Sequence, residues 1–570
     1  MTNDNRQMTK MMKKYIFGLF TLMTAFTLTS CNDYLDKLPD DRAELNTTNK
    51  ITQLLVSAYP GATNNLIHEM MSDNVDDSGR GYSTPILCEQ LYRLQDPTEE
   101  SQDTPYDLWN GFYESVAVCN QALEAIDELG NPESLKGDKA EAQLIRAYSM
   151  FQLASTFCMA WNPNKADEYP GLPYPLKPEQ NIGATYERGT LRQLYAAIDK
   201  DIEEALPNII IANAGYKTPK YHFNTKAAYA FACRFNLYYM RYDKAIKYAN
   251  QVLGSDPTSV MRNYEPYRDL GRQDFGNRWI RSDEDANLLL INSYSLSSRY
   301  TAIGTSYRFN HNQSMASNET FWVDGPWGGG SDKNSIIYAN KLYGTNQAVA
   351  FPSYDEQFEY TDKVAGIGYV HVVDPVFTGD MTILERAEAY ALSGNLTQAV
   401  ADMNTWMATH CKDKTEIADD GSTTIVAPAP APQTVADITA FIEALDYAKR
   451  TPDSWRDRSM RKRMHPQGFT VATGDMENLL QMILHMKRIE SVFHGLRFMD
   501  LKRYGIEFTH LIKGEDPVIF IAGDLRGAVQ LPKTVITAGL PASPRMSAEE
   551  IKAYIERTEG EYATPDEEEK

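Results

Sequence analysis

Cysteine is scarce in this chain, and none of the six residues (Cys31, Cys88, Cys119, Cys158, Cys233 and Cys411) stands in a CxxC pair. That excludes a zinc ribbon and a thioredoxin-type motif. Cys119, Cys158 and Cys233 fall in helical-looking segments, where small thiols are commonly buried, and without Cys31 an odd number remains. They read as free and structural. Positive charge is also short. Lys and Arg number 56 against 77 Asp and Glu, a net charge of −21. Nucleic acid is disfavoured as a partner, because phosphate contact needs clustered positive charge. Catalytic and metal signatures are missing. There is no GxSxG elbow and no GxxxxGKS/T loop, "HEMMS" at 68–72 lacks the second histidine of HExxH, and the nine histidines show no ligand spacing. No enzyme activity, metal or cofactor is expected. Beyond the first 28 residues no stretch approaches 18 apolar residues, so the rest of the chain offers no membrane span.

What is present begins with "MMKK" at 11–14 and the apolar run Tyr15–Leu28. A positive start followed by about 14 apolar residues is a secretory signal, too short for a span of roughly 20. The run ends Leu28-Thr29-Ser30-Cys31 and continues "NDYLDKLPDD". This resembles the lipobox of bacterial lipoproteins, with cleavage of residues 1–30 and acyl chains on Cys31. Each buried CH₂ then contributes about 0.8 kcal/mol of anchoring.

The 570 residues are 42% hydrophobic and 23% charged, enough for two or more domains or one large α-rich body. From about 49 to 253 the apolar spacing is mostly helical. Trp109, Tyr113, Val116, Cys119, Ala122 and Ile126 share one stripe, Leu144, Tyr148 and Phe151 another, and Thr190 is placed as an N-cap. Two segments resemble tetratricopeptide helical pairs. One is 241–257, whose preceding helix (about 224–239) lacks the usual turn glycine. The other is 385–406, with Ala387, Tyr390, turn Gly394, Ala399 and Trp406. Between them, 258–380 is rich in Asn, Ser, Gly, Tyr and Trp with weak periodicity, and 297–335 reads as one long irregular, functional stretch. The Ala-Pro alternation at 418–437 reads as an extended surface loop.

Several pieces then coincide: "CNDYLDKLPDD", "HEMMSDNVDD" (68–77), the helix carrying Gly137, Glu141, Arg146 and Ala147, "NTKAAYAFACRFNLYY" (224–239), and the segment Arg488, Glu490, Gly495, Arg497, Asp500, Leu501, Arg503, Gly505. Their order resembles the SusD/RagB family of outer-membrane lipoproteins, in pieces from Cys31 to about Pro532. The chain departs from that pattern at His494, where an acidic residue is usual, and at Tyr504, where Trp is common. The resemblance implies a mostly α fold with four tetratricopeptide-like pairs and loop-rich inserts. It implies a lipid-anchored outer-membrane protein, facing outward, that binds oligosaccharide and delivers it to a SusC-like TonB-dependent transporter, an arrangement typical of Bacteroidetes. Along the chain this gives a signal (1–30), an N-terminal helical region (31–257), a loop-rich ligand-binding region (258–380), a C-terminal region with a further pair (381–546) and an acidic tail (547–570). A RagB-like peptide binder, or less readily a surface glycoside hydrolase with two carboxylates flanking a cleft, are the alternatives.

Read on their own, Arg488, Glu490, Arg497, Asp500 and Arg503 form an internal ion-pair network rather than a ligand pocket, and Glu141 and Arg146 read likewise. The basic stretch 449–465 reads as a solvated face. Sugar recognition needs aromatic faces for the CH surfaces of a pyranose and planar polar groups for its hydroxyls. The best candidates are Tyr300, Tyr307, Trp322, Asp324 and Trp327, with Gly328–Gly330 allowing close approach. Arg80 and Tyr82 form a second group.

Overall fold

The computed structural model of the protein describes residues 45–179, 186–209, 216–302, 306–339, 341–345, 348–417 and 419–562. The signal segment and Cys31 lie outside the described residues, as does the end of the acidic tail. Thr47–Lys570 cluster as one compact unit.

The first half is helical, as its periodicity demands: α1 (Thr48–Val56), α2 (Asn65–Met70), α3 (Ile86–Tyr92), α4 (Pro105–Glu128), α5 (Lys136–Phe157), α6 (Leu191–Ala205), α7 (Thr225–Tyr238) and α8 (Tyr242–Leu253). Thr104 caps α4 by accepting from Asp107 N, and Pro105 sits where no intrahelical donor is needed. Thr190 and Gln193 close a capping box on α6. α4, α5 and α6 pack in sequence, and α7 packs on α8 through a three-residue connection. The short α4–α5 and α7–α8 connections make those neighbours helical hairpins. The glycine that the α7–α8 turn lacks is replaced by Met240, held in the left-handed region at φ 61°.

The middle is less irregular than its composition suggests. It contains α9 (Arg272–Trp279), β2 (Asn287–Ser293), α10 (Ser297–Tyr300), β3 (Phe309–Asn310), α11 (Gln313–Asn318), β4 (Gly328–Gly329), β5 (Lys333–Asn334), β6 (Tyr343–Thr345), β7 (Ala348–Ala350), β8 (Glu356–Asp362) and β9 (Ile367–Thr378). β1 (Asp76–Asp77) pairs antiparallel with β3. β9 is the centre of a three-stranded antiparallel sheet with β2 and β8 on either side. β2 is apolar and buried, and its alternation is hidden because helices cover it.

The last third returns to helices: α12 (Gly379–Leu392), α13 (Leu396–His410), α14 (Val435–Glu443), α15 (Asp475–Ser491), α16 (Leu496–Tyr504), α17 (Lys533–Thr537) and α18 (Ala548–Tyr562), with hairpins β10 (Lys414–Ile417)–β11 (Thr423–Ala427) and β12 (Phe508–His510)–β13 (Val518–Phe520). α12 and α13 form the second predicted pair, turning at Gly394 with φ 79°. α12 also packs on α7, α8 and α15, which joins the two helical regions. The expected loop at 418–437 is in part strand β11, followed by the Thr434 cap of α14. The acidic tail begins as α18, whose Thr558 accepts from Arg450 at 2.8 Å and whose Tyr554 donates to Glu507 at 2.7 Å. All five described cysteines are buried and free. No helix among the described residues is long and apolar enough to cross a membrane.

Candidate functional site

Two segments far apart in sequence are drawn together around β1 and β3. Ser78 N donates to Arg308 O at 2.8 Å, Ser83 N to Ser306 O at 3.0 Å, and Arg308 N to Ser83 O at 2.9 Å. The strands that flank the turn are fixed by charge. Arg308 clasps the carboxylate of Asp77 through two bonds of 2.8 and 2.6 Å, and Gly79 N and Lys513 N donate to the same group. Burial pushes the Asp77 carboxyl up, but the Arg308 bond and these backbone donors outweigh it and hold the group below the usual carboxylate range.

This pairing bridges Ser83, the residue that follows the Arg80–Tyr82 loop, to Tyr307, whose ring meets that of Tyr300. The two rings meet edge to face, 4.9 Å apart at 87°, and each is half-buried. Burial pushes the Tyr300 phenol up to about 12, so it is a neutral hydrogen-bond donor at physiological pH. Arg80 is exposed and bonds Glu515 at 2.7 Å; Glu515 also takes two bonds from Arg93. Bonds from Arg93 and then Arg80 hold Glu515 down at about 2.

The ring pair stands on a braced helix. Leu296 N and Ser295 Oγ donate to Asp103, whose backbone is left-handed, and burial lifts that carboxyl to about 7. Ser297 bonds the Tyr354 hydroxyl at 2.6 Å. Arg299 grips Glu356 at the start of β8 through two bonds of 2.9 Å.

The Trp322 group divides. Trp327 is 1% exposed, with its ring against Trp406 at 5.8 Å and His485 at 5.9 Å. It is a core residue and presents no face to a sugar, which corrects its place among the candidates. Gly328 and Gly329 are also committed. A Cβ on Gly328 would collide with the Lys333 carbonyl, and one on Gly329 with the Asp324 carboxylate. They allow the chain to approach itself in the β4–β5 hairpin, not a ligand. Trp322 remains half-buried with its Nε1 donating to Ala339 O at 3.0 Å, and Asp324 is exposed.

An exposed aromatic pair escaped sequence reading. Tyr294, half exposed just beyond β2, meets Tyr369 of β9 edge to face at 4.7 Å. The outward step at the end of β2 was the available signal, but it is audible only once the strand is known.

The charged helix segment is an internal network, as its composition implied. Arg497 clasps Asp73 with two bonds of 2.8 Å, and Arg488 reaches Asp73 O, Asn74 and Glu319. Lys487 and Arg503 share Glu388 and Asp500. Glu490 bonds His410 and Trp406. Arg146 clasps Asp201 at 2.7 Å twice, and Glu141 accepts from Tyr59 and Tyr216 and bonds His222. The 449–465 stretch is not a solvated face. Arg450 bonds Glu507, Arg458 bonds Asp76 and Glu319, and Lys462 bonds Glu319. Its cations neutralise carboxylates that would otherwise be buried alone. Among the described residues no cluster of His, Cys, Asp and Glu could hold a metal ion.

A family model described as SusD-like, starch-binding associating with outer membrane, matches residues 33–237. A curated relative, SusD-like protein P38 of Formosa agariphila, is 25% identical over 199 residues. That match takes in 35% of this chain, and the chain spans only 36% of the relative's length. Similar solved structures cover nearly the whole described fold. A SusD-like carbohydrate binding protein from Bacteroides vulgatus superposes with a TM-score of 0.57 at 13% identity, covering 88% of this chain and 99% of its own. A SusD superfamily protein from Bacteroides thetaiotaomicron gives 0.53 at 18%, covering 87% and 98%. The fold, mostly α with small sheets, is like that of these solved structures. Over residues 33–237 the chain is similar to the SusD-like family.

Proposed function

We propose that the protein captures oligosaccharide at the cell surface on the Tyr300–Tyr307 ring pair. The ring pair itself, with Ser83 after the Arg80–Tyr82 loop bridged to Tyr307, is the observation that carries the reading. Two edge-to-face rings offer one pyranose-sized face, while the Tyr300 hydroxyl and the Arg80 guanidinium supply the planar and donor groups that sugar hydroxyls need. Trp322 and Asp324 are retained as flanking contacts. The matching family is described as starch-binding, and one solved neighbour as carbohydrate binding, which favours sugar over peptide. The protein holds its cargo without cleaving it and passes it to a SusC-like TonB-dependent barrel. Acylation of Cys31 tethers it to the outer membrane, facing outward.

Isothermal titration against a panel of oligosaccharides and tryptic peptides tests the binding. Tyr300→Ala and Tyr307→Ala each weaken the oligosaccharide by about tenfold, near the 0.5–1.5 kcal/mol upper range of a ring contact, with the melting temperature unchanged. Peptide binding with no oligosaccharide binding would transfer the site to the other cargo, and sustained release of reducing ends would make the protein an enzyme. Cys31→Ala moves the protein from the membrane to the soluble fraction; retention on the membrane would reject the anchor.

A further inference from the structure

A second place on the molecule has the form of a ligand site and shares no residue with the ring pair. It is a cavity of about 370 Å³ along one stripe of α4, where Trp109, Tyr113 and Ala117 follow each other at helical spacing. Val535 closes it from α17, Leu540 from the turn that follows α17, and Pro175 from the strap that follows α5. Its volume is in the range of small-molecule sites.

The walls are fixed before any ligand arrives. Tyr113 donates its hydroxyl to Pro173 O at 2.8 Å, and Asn120 Nδ2 donates to Pro175 O at 2.9 Å. The Asn120 oxygen is taken by Arg146. Prolines at 173, 175 and 178 stiffen the strap. The Tyr113 hydroxyl, the Asn120 amide and the Pro173 and Pro175 carbonyls of the inner wall are therefore spent on the protein itself. Water inside finds carbon and satisfied groups, so an apolar body displaces it at a gain. A free sugar gains little there, because its hydroxyls would lose water and find no partner.

The rim is different. Lys177 offers a donor, Glu179 an acceptor, and the exposed Tyr186 hydroxyl both. The two opposite charges favour a neutral head with several hydroxyls over an ion, and the net charge of −21 disfavours an anion further. We infer that the α4 cavity binds an aryl glycoside, its aromatic aglycone on Trp109 and Tyr113 and its sugar ring outside at Lys177 and Glu179.

The probe is 4-methylumbelliferyl glucoside, titrated into the full chain with Trp fluorescence and calorimetry as readouts. The glucoside and free 4-methylumbelliferone both bind, and a hundredfold excess of glucose does not displace them. Ala117→Trp, which fills the cavity from an exposed helix position, weakens the probe at least tenfold. Val535→Trp, filling it from the opposite wall, does the same, so failure of one variant to fold leaves the other as the test. Glu179→Gln narrows the preference for the glucoside over the bare aglycone by about threefold. Absence of binding, an unchanged affinity in a folded cavity-filling variant, or displacement by glucose alone would each overturn the assignment. None of these outcomes bears on the ring pair, whose cargo is tested separately.

Discussion

An indole with 1% of its surface exposed contributes its area to the core and none to a ligand. Trp327 and Trp322 lie five residues apart in one stretch, and composition treats them alike; depth separates them. The indole N–H of Trp327 has no hydrogen-bond partner, so its contribution is packing against Trp406 and His485. Truncating a large buried ring leaves a cavity and costs about 3–5 kcal/mol. Trp327→Ala is therefore expected to lower the denaturant midpoint by that equivalent, whereas Tyr300→Ala leaves it in place. A Trp327→Ala protein of wild-type stability would return the residue to the surface group. Whether a tyrosine or tryptophan is core or platform was not legible from the chain, because both roles use the same residue types. What could be read was the loop-rich neighbourhood that supplies Tyr300 and Tyr307.

Helical pairs were the most legible elements, since apolar spacing and caps such as Thr190 act within a few residues. Strands β2 and β9 were not, because 80 or so residues separate their paired positions and the register depends on contacts no local pattern encodes. The same distance hid the role of the basic stretch: its partners Asp76 and Glu319 lie far upstream. The turn glycine is the informative local exception. At α12–α13 it is Gly394, and Asn395 N and Gly394 N close the helix end on Tyr390 O and Ala391 O. At α7–α8 the corresponding bonds, Arg241 N to Asn236 O and Met240 N to Leu237 O, are made with a methionine in the left-handed region. A side chain there costs about 1–2 kcal/mol. Glycine removes that strain but gives back about 0.5–1 kcal/mol in chain entropy. Met240→Gly is expected to stabilise the protein by about 0.5–1 kcal/mol, read as a higher melting temperature. A lower one would mean that the Met240 side chain packs more strongly than its backbone strains.

At the scale of the whole molecule, buried titratable groups make stability a function of pH, with opposing signs. Burial lifts Glu69 and Asp103 to about 7, and burial with the neighbouring Glu490 lifts Asp380 to about 6. Their unfolded values are near 4, so the native state holds about three more protons between the two limits, and these groups favour lower pH. Burial, aided by nearby Lys502, drops His68 to about 3. Burial with Arg488 and Arg497 drops His485 to about 3, and His311 falls to about 4. Their unfolded values are near 6.5, so the unfolded state holds about three more protons, and these groups favour higher pH. From about pH 4.5 to 6 the two sets offset each other. Below that window nothing opposes the carboxylates of Asp73, Glu319 and Asp500. Burial alone would raise these three, but Arg488 and Arg497, Lys462 and Arg488, and Lys487 and Arg503 respectively hold them well below the usual range. Their stabilisation is complete above the unfolded value near 4 and is lost as pH falls toward the depressed native values. Each contributes a slope of about 1.4 kcal/mol per pH unit. The melting temperature is thus expected to be level from pH 4.5 to 6 and to fall steeply below 4. In Arg497→Lys, the acid limb begins at higher pH, because the twin bonds to Asp73 become one. A smooth decline across the whole range, with no level section, would show that the raised acids and the lowered histidines are not balanced and that the buried network is looser than its bond lengths imply.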